Sequence, residues 1–306
     1  MRYEESRVGR SLAWPWAKSG RKEWWYHGVH DPASGAYFSF FFIRMPLMDS
    51  FRCILFRPGL PTVQAQWKGW LCSRGGVGQI NLEAKSASLH VRFSGSAEVG
   101  WNLLVESPDL SADVRSVATL PPFLRREEQF QADYTLLHFF GNRVEGMIRM
   151  GSQKLSIRGP GYGDHCFGAV PRRSGWHWLA VQDERYSLAV LRNVGPYAQN
   201  YAQAYDVGPS PESGRWIRLD PTPLFELESE DPWNAPWKLG GADLDLEVEI
   251  LSVSALPERI PPLLPVVVNL DHEEAHVRAT GRVRLDGNWR DVGPLHGVLE
   301  RHHGTW

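Results

Sequence analysis

Asp164 stands in the run GYGDHCFG, residues 161–168, two positions after Tyr162 and one before His165. A carboxyl, a phenol and an imidazole this close together are the parts from which a general acid and its proton supply are built. Shortly after it, GWHW groups Trp176, His177 and Trp178, and near the start EWWYH groups Trp25 and His27. Glycines and prolines crowd residues 159–175, a density that predicts a tightly bent backbone holding these groups.

A carboxyl that acts as a general acid must be neutral at working pH, and burial among aromatic rings raises a carboxyl pKa by disfavouring the charged form. Tyr162 is placed to orient one oxygen of Asp164, and His165 or His138 to tune or reprotonate it. Ring faces stabilise a cation formed beside them, with Trp25, Trp176 and Trp178 as candidates, at about 0.5–2 kcal/mol per contact. The alternative reading is structural, an aspartate that caps a turn in a glycine-rich loop.

Strand periodicity sorts the aromatic runs into faces. In EWWYH, Trp24 and Tyr26 share one face while Glu23, Trp25 and His27 share the other. One of the two must be core. Glu23 is costly to bury unless an Arg or His from another strand pairs with it, which makes its face the less ordinary one and Trp25 and His27 the pocket candidates. In GWHW, Trp176 and Trp178 oppose His177, so either the indoles or the imidazole can meet a ligand from that strand.

The run HEEAH, His272 to His276, fits a zinc-protease pattern that requires a helix. Its flanks, PVVVNLD and VRATGRVRL, read as strands around a charged turn, and in an extended strand the two histidines would lie roughly 13 Å apart. No metal site is expected. The pairs His27 with His30 and His302 with His303 lack a third ligand, and there is neither a glycine-rich phosphate loop nor a nucleophile elbow. No cofactor is expected either.

The elements that must position these groups are strands nearly throughout. EWWYHGVHD and GAYFSFFFIRM read as a hairpin joined by DPASG, and VEGMIRM with KLSIRG as another. Short alternating runs continue to the end of the chain, which predicts an all-β protein of two antiparallel barrels or sandwiches. The boundary is expected near residue 170, giving domains 1–170 and 171–306, with a long surface loop over the proline-rich zone 208–236. Fourteen tryptophans and thirteen phenylalanines suit thick β-cores or pockets for large apolar ligands.

A net charge of -2 provides no field for nucleic acid, and three cysteines without CxxC spacing argue against disulfides and structural zinc. The first twenty residues lack the apolar run of a secretory signal, and AYFSFFFI is too short to span a bilayer. The expectation is a soluble, cytoplasmic protein whose partner is a hydrophobic small molecule, with membrane contact at most transient, to collect it.

EWWYHGVHDPASGAYFSFFFI, GYGDHCFG, GWHW and GPLHGVLE together resemble the carotenoid 1,2-hydratase and AttH-like group. The resemblance implies a lipocalin-like fold of two β-barrel domains, similar in architecture to fungal decalin-forming Diels-Alderases. It also implies that Tyr162 and Asp164 match the family's Tyr-x-Asp pair, whose aspartate protonates the substrate alkene. The run HFF offers His138 and Phe140 for a family histidine with an aromatic two residues on, Phe standing here in place of Trp. The implied activity is cofactor-independent hydration or cyclisation of a large isoprenoid or polyene. A pericyclase that preorganises a polyene, with Asp164 structural, is the alternative. A non-catalytic carrier of an apolar ligand is the third reading.

Overall fold

The computed structural model describes residues 21–44, 49–69, 72–73, 80–129, 132–169, 173–194, 200–208, 214–220, 224–227, 231–259 and 269–305. The chain divides into two compact units, Met1–Val170 and Pro171–Trp306. Among the described residues every regular element is a β-strand, and no helix is long and apolar enough to cross a membrane.

The first unit opens with β1 (Arg21–Asp31), β2 (Ala36–Arg44), β3 (Asp49–Arg57) and β4 (Leu60–Gly69). It continues with β5 (Cys72–Ser73), β6 (Ile80–Lys85), β7 (His90–Ser96), β8 (Gly100–Glu106) and β9 (Ser111–Val117). It ends with β10 (Phe123–Gln129), β11 (Ala132–Met150) and β12 (Gln153–Ala169). The hydrogen-bonded order is β4-β3-β2-β1-β12-β11-β9-β8-β7-β6-β5, with β10 alongside β11, so the first strand lies against the last. Five strands separate β2 from β7 in that order, yet the rings of Phe40 and Phe93 are 5.1 Å apart. The sheet is therefore curled into a barrel around a ring-rich core.

Two kinds of wall follow from the side-chain pattern. In β6, β8 and β9 the buried residues alternate, as in Ile80, Leu82 and Ala84, because only the inner face is covered. In β2 both faces are buried: Phe38, Phe40 and Phe42 point inward, and Tyr37, Ser39 and Ile43 on the other side are buried too. That is why AYFSFFFI reads as a nearly unbroken apolar run. The DPASG turn is held by Asp31, whose Oδ2 accepts the Ser34 N–H at 3.1 Å, with Gly35 at φ 67°.

The glycine-rich stretch makes no turn between residues 153 and 169. Residues 153–169 form one strand, and its glycines answer a need for space: a Cβ at Gly161 would lie 2.3 Å from Val144 Cγ2, and one at Gly163 2.8 Å from His27 Nδ1. This corrects the expectation of a tight turn at the start of the 159–175 zone; residues 170–172 lie outside the described residues.

The second unit comprises β13 (Arg173–Gln182), β14 (Tyr186–Asn193), β15 (Tyr201–Asp206), β16 (Arg215–Leu219) and β17 (Leu224–Leu227). They are followed by β18 (Trp237–Gly240), β19 (Leu244–Arg259), β20 (Asn269–Leu285) and β21 (Asn288–Thr305). Its order is β16-β15-β14-β13-β21-β20-β19-β18-β17, again with first strand against last. His177 on β13 lies 5.2 Å from Trp237 on β18, across three intervening strands, so this sheet curls as well. Two expectations are corrected here. β20 runs straight through HEEAH with no turn, and the 208–236 zone contains the strands β16 and β17.

Candidate active site on the outer face of the first barrel

β1, β12 and β11 lie side by side, and their registers place Asp164 opposite Tyr26 on one side and His138 on the other. Residues directly opposite in an antiparallel pair share a face, so Trp24, Tyr26, His138, Tyr162, Asp164 and Cys166 all face away from the barrel core. That face is buried. Asp164 is 6 % exposed and His138 1 %.

The polar groups form a line. Trp24 Nε1 donates to Asp164 Oδ1 at 3.0 Å, the Tyr162 hydroxyl donates to Asp164 Oδ2 at 2.8 Å, and His138 Nδ1 lies 2.8 Å from the same hydroxyl. Beside it, the hydroxyls of Tyr26 and Tyr37 are 3.0 Å apart. Burial, with Arg125 a smaller contributor, lowers the His138 pKa to about 3, so its imidazole is neutral near pH 7. A neutral ring has one donor and one acceptor nitrogen; with the Tyr162 hydrogen directed to Asp164, the line is continued by Nδ1–H donating to the phenol oxygen.

Rings frame these groups. Phe123 on β10 stacks on His138 at 5.9 Å, and Phe140 lies 4.7 Å from the Tyr162 ring. A β-bulge between Phe139 and Asn142, with Gly141 at φ 63°, follows immediately. Burial also raises the Cys166 thiol well above its ordinary range and lowers the Lys22 amine well below its own.

No family model and no curated protein sequence matches the chain. Solved structures do. A protein from Nitrosomonas europaea assigned as an AttH superposes with a TM-score of 0.63 at 13 % identity, covering 94 % of this chain and 93 % of that one. Kievitone hydratase from Nectria haematococca superposes with a TM-score of 0.57, also at 13 % identity, covering 94 % and 90 %. The chain shares their fold. Its two curled antiparallel sheets are lipocalin-like barrels, as the sequence resemblance implied.

Strand alternation divides the expected site residues between the two faces of the first lipocalin-like barrel. Tyr162, Asp164, His138 and Phe140 come together on the outer face. His165, one residue from Asp164, points inward instead, where its Nε2 lies 2.9 Å from Glu23 Oε1 and its ring stacks on Trp25 at 4.8 Å. His27 is also interior, packed on Phe40 at 5.0 Å and Trp101 at 4.9 Å. Of the two histidines expected to tune Asp164, His138 is on its face and His165 is not; Trp25 and His27, either of which was expected to line the pocket, both face the barrel core. The missed residue is Trp24, on the face the sequence reading treated as ordinary. Alternation already grouped it with Tyr26, but only the pairing of β1 with β12 brings it to Asp164.

The interior cavity lined by His27, Phe40, Phe93, Trp101, Ser116 and Val144 measures about 10 Å³. Ligand pockets run to about 300 Å³ and more, so this space is too small for an apolar ligand. The carrier reading gains nothing from it.

Trp176, His177 and Trp178 belong to the second lipocalin-like barrel. Trp176 stacks on His302 at 3.8 Å and its Nε1 donates to Glu300 Oε2 at 3.4 Å, while Trp178 packs on Tyr201 at 5.8 Å. His177 is turned into that barrel's core, and burial, then Arg192 and Arg301, lower its pKa to about 4.

Proposed function

We propose that the chain is a cofactor-independent, cytoplasmic enzyme that protonates an alkene of a large hydrophobic isoprenoid or polyene, leading to hydration or cyclisation. The observation that carries this reading is the line Trp24–Asp164–Tyr162–His138, buried among rings on one face of three adjacent strands. That one of the proteins sharing its fold is a hydratase supports the reaction class.

In the reaction the proton leaves an Asp164 oxygen as the alkene π pair forms the new C–H bond, leaving a carbocation beside the rings and a carboxylate on Asp164. Water adds its oxygen lone pair to the cation and gives up a proton, which returns to Asp164; in cyclisation an internal alkene supplies the pair, and the new cation formed on it loses a neighbouring C–H proton, which returns to Asp164. Trp24 is a positioning residue: its N–H holds Oδ1 and so fixes the carboxyl plane. Tyr162 and His138 carry the returning proton, because each is within hydrogen-bond reach of the next.

One observation favours a second reading. Each oxygen of Asp164 already accepts a donor, which is also how a carboxylate anchors a tyrosine that must stay still. Asp164 would then be structural, and the enzyme a pericyclase that preorganises a polyene and donates a hydrogen bond to its carbonyl.

Turnover of candidate polyenes in deuterated water by wild type and by Asp164→Asn separates the two readings. Deuterium at a product carbon, lost in the variant, supports protonation. A deuterium-free product still made by the variant moves the assignment to the pericyclase.

A further inference from the structure

On β20 the two histidines of HEEAH are parted, as an extended strand requires, yet each meets an imidazole of β21. His272 is directly opposite His302, and their rings are 5.8 Å apart. His276 is diagonal to His296, since its own register partner is Val298, and those rings are 5.9 Å apart. All four histidines share the outer face of the second barrel with Glu274 and Glu300.

The two pairs differ in what else they touch. His302 stacks on Trp176 at 3.8 Å and its Nε2 lies 3.2 Å from Ser174 Oγ, so that ring is committed to β13. His276 and His296 each present a ring nitrogen to the other, the two atoms within 4.8 Å. Bonds of about 2.0–2.1 Å to one zinc ion need nitrogens no more than about 4 Å apart, which the half-buried His296 ring reaches by a small rotation.

The field around this pair suits a cation. Glu274, two residues from His276, is directly opposite Glu300, and they are 1 % and 9 % exposed. Like charges directly opposite on one sheet face destabilise it, and a nearby cation offsets the repulsion. Arg278, opposite His296, is exposed and donates to Glu249 on β19 at 2.8 Å.

We propose that β20 and β21 bind one divalent transition-metal ion of the kind that prefers imidazole, such as Zn²⁺, Ni²⁺ or Cu²⁺, through His276 and His296. Water completes its coordination. The ion clips the two strands together on the outer face and takes no part in the reaction proposed above, on which this inference does not rest.

The test is calorimetric titration of the untagged full chain with Zn²⁺ near pH 7. The expected result is saturation at one ion per chain and a higher thermal midpoint with zinc present. Affinity is expected to fall about 10²-fold in His276→Ala and in His296→Ala, because each breaks a chelate, and to be unchanged in His90→Ala. Zinc-soaked wild-type crystals, which do not depend on the variants folding, are expected to show an anomalous peak about 2.0–2.1 Å from a nitrogen of both rings. No saturable binding, full affinity in either histidine variant, an equal loss in His90→Ala, or a zinc peak only elsewhere overturns the proposal.

Discussion

The two barrels place a tryptophan and a carboxylate at the same register and differ in what surrounds them. In the first, Trp24 pairs with Cys166 and the next outward pair is Tyr26 with Asp164; in the second, Trp176 pairs with His302 and the next is Trp178 with Glu300. Both indoles donate diagonally to that carboxylate, at 3.0 Å and 3.4 Å. The neighbours then diverge. Asp164 faces His138 on β11, whereas Glu300 faces Glu274 on β20, and where the first barrel has Tyr162 the second has Val298. The indole-to-carboxylate bond is thus something the scaffold makes twice, and the phenol with its imidazole is what the first barrel adds.

If that addition makes the first barrel catalytic, Asp164→Asn lowers turnover about 10²–10⁴-fold while Glu300→Gln stays within about twofold, as product formation under identical conditions would show. Equal losses in both variants would erase the distinction. Tyr162→Phe cuts the path to His138 at its middle, so steady turnover is expected to drop about tenfold or more while a single turnover still places deuterium on carbon. Loss of that first deuterium as well would make Tyr162 part of the donor itself. Trp24→Phe removes a donor to a carboxyl and is expected to cost about tenfold in kcat/KM, against about twofold for Trp176→Phe; the reverse order would put the important indole on the second barrel.

Acidification acts on stability and not on turnover. The pKa values of His27 and His138 are lowered from 6.5 to about 3, so between those values the unfolded chain binds more protons than the folded one. Their full stability contribution is present above about pH 6.5 and declines as pH falls, by about 2 kcal/mol each at pH 5. In the second unit burial lowers His177 to about 4 and lowers His296 as well, so at pH 5 that unit loses stability by the same route. Hydrogen exchange at pH 7 and pH 5 is expected to show peptides of both units losing protection at pH 5; loss confined to one unit would show that the buried histidines of the other do not titrate.

The strand content was legible because alternation and turn residues are local signals: DPASG gave the first hairpin, and Gly151 with Ser152 closes the one predicted from VEGMIRM and KLSIRG. Tyr162 and Asp164 were legible through a motif. What the sequence hid was pairing. Which strand neighbours β1 decides that Trp24 meets Asp164, and that fact lies 140 residues away in the chain. The same ignorance made His165 look like a partner of Asp164, when adjacency in a strand guarantees opposite faces. The glycines misled for a related reason, since their purpose at Gly161 and Gly163 is to admit Val144 and His27, which only the fold brings there.

The pairing of each unit's first strand with its last has a consequence in time. During synthesis β1 and β2 can form their hairpin at once, but β1's other edge must wait until residue 169 has emerged, because β12 is its second neighbour. Until then the Trp24 and Tyr26 strand is an open template that any passing edge could occupy. Asp164 is thus delivered by the segment that closes the barrel, and a ribosome paused before GYGDHCFG holds a chain with neither a finished wall nor the proposed acid.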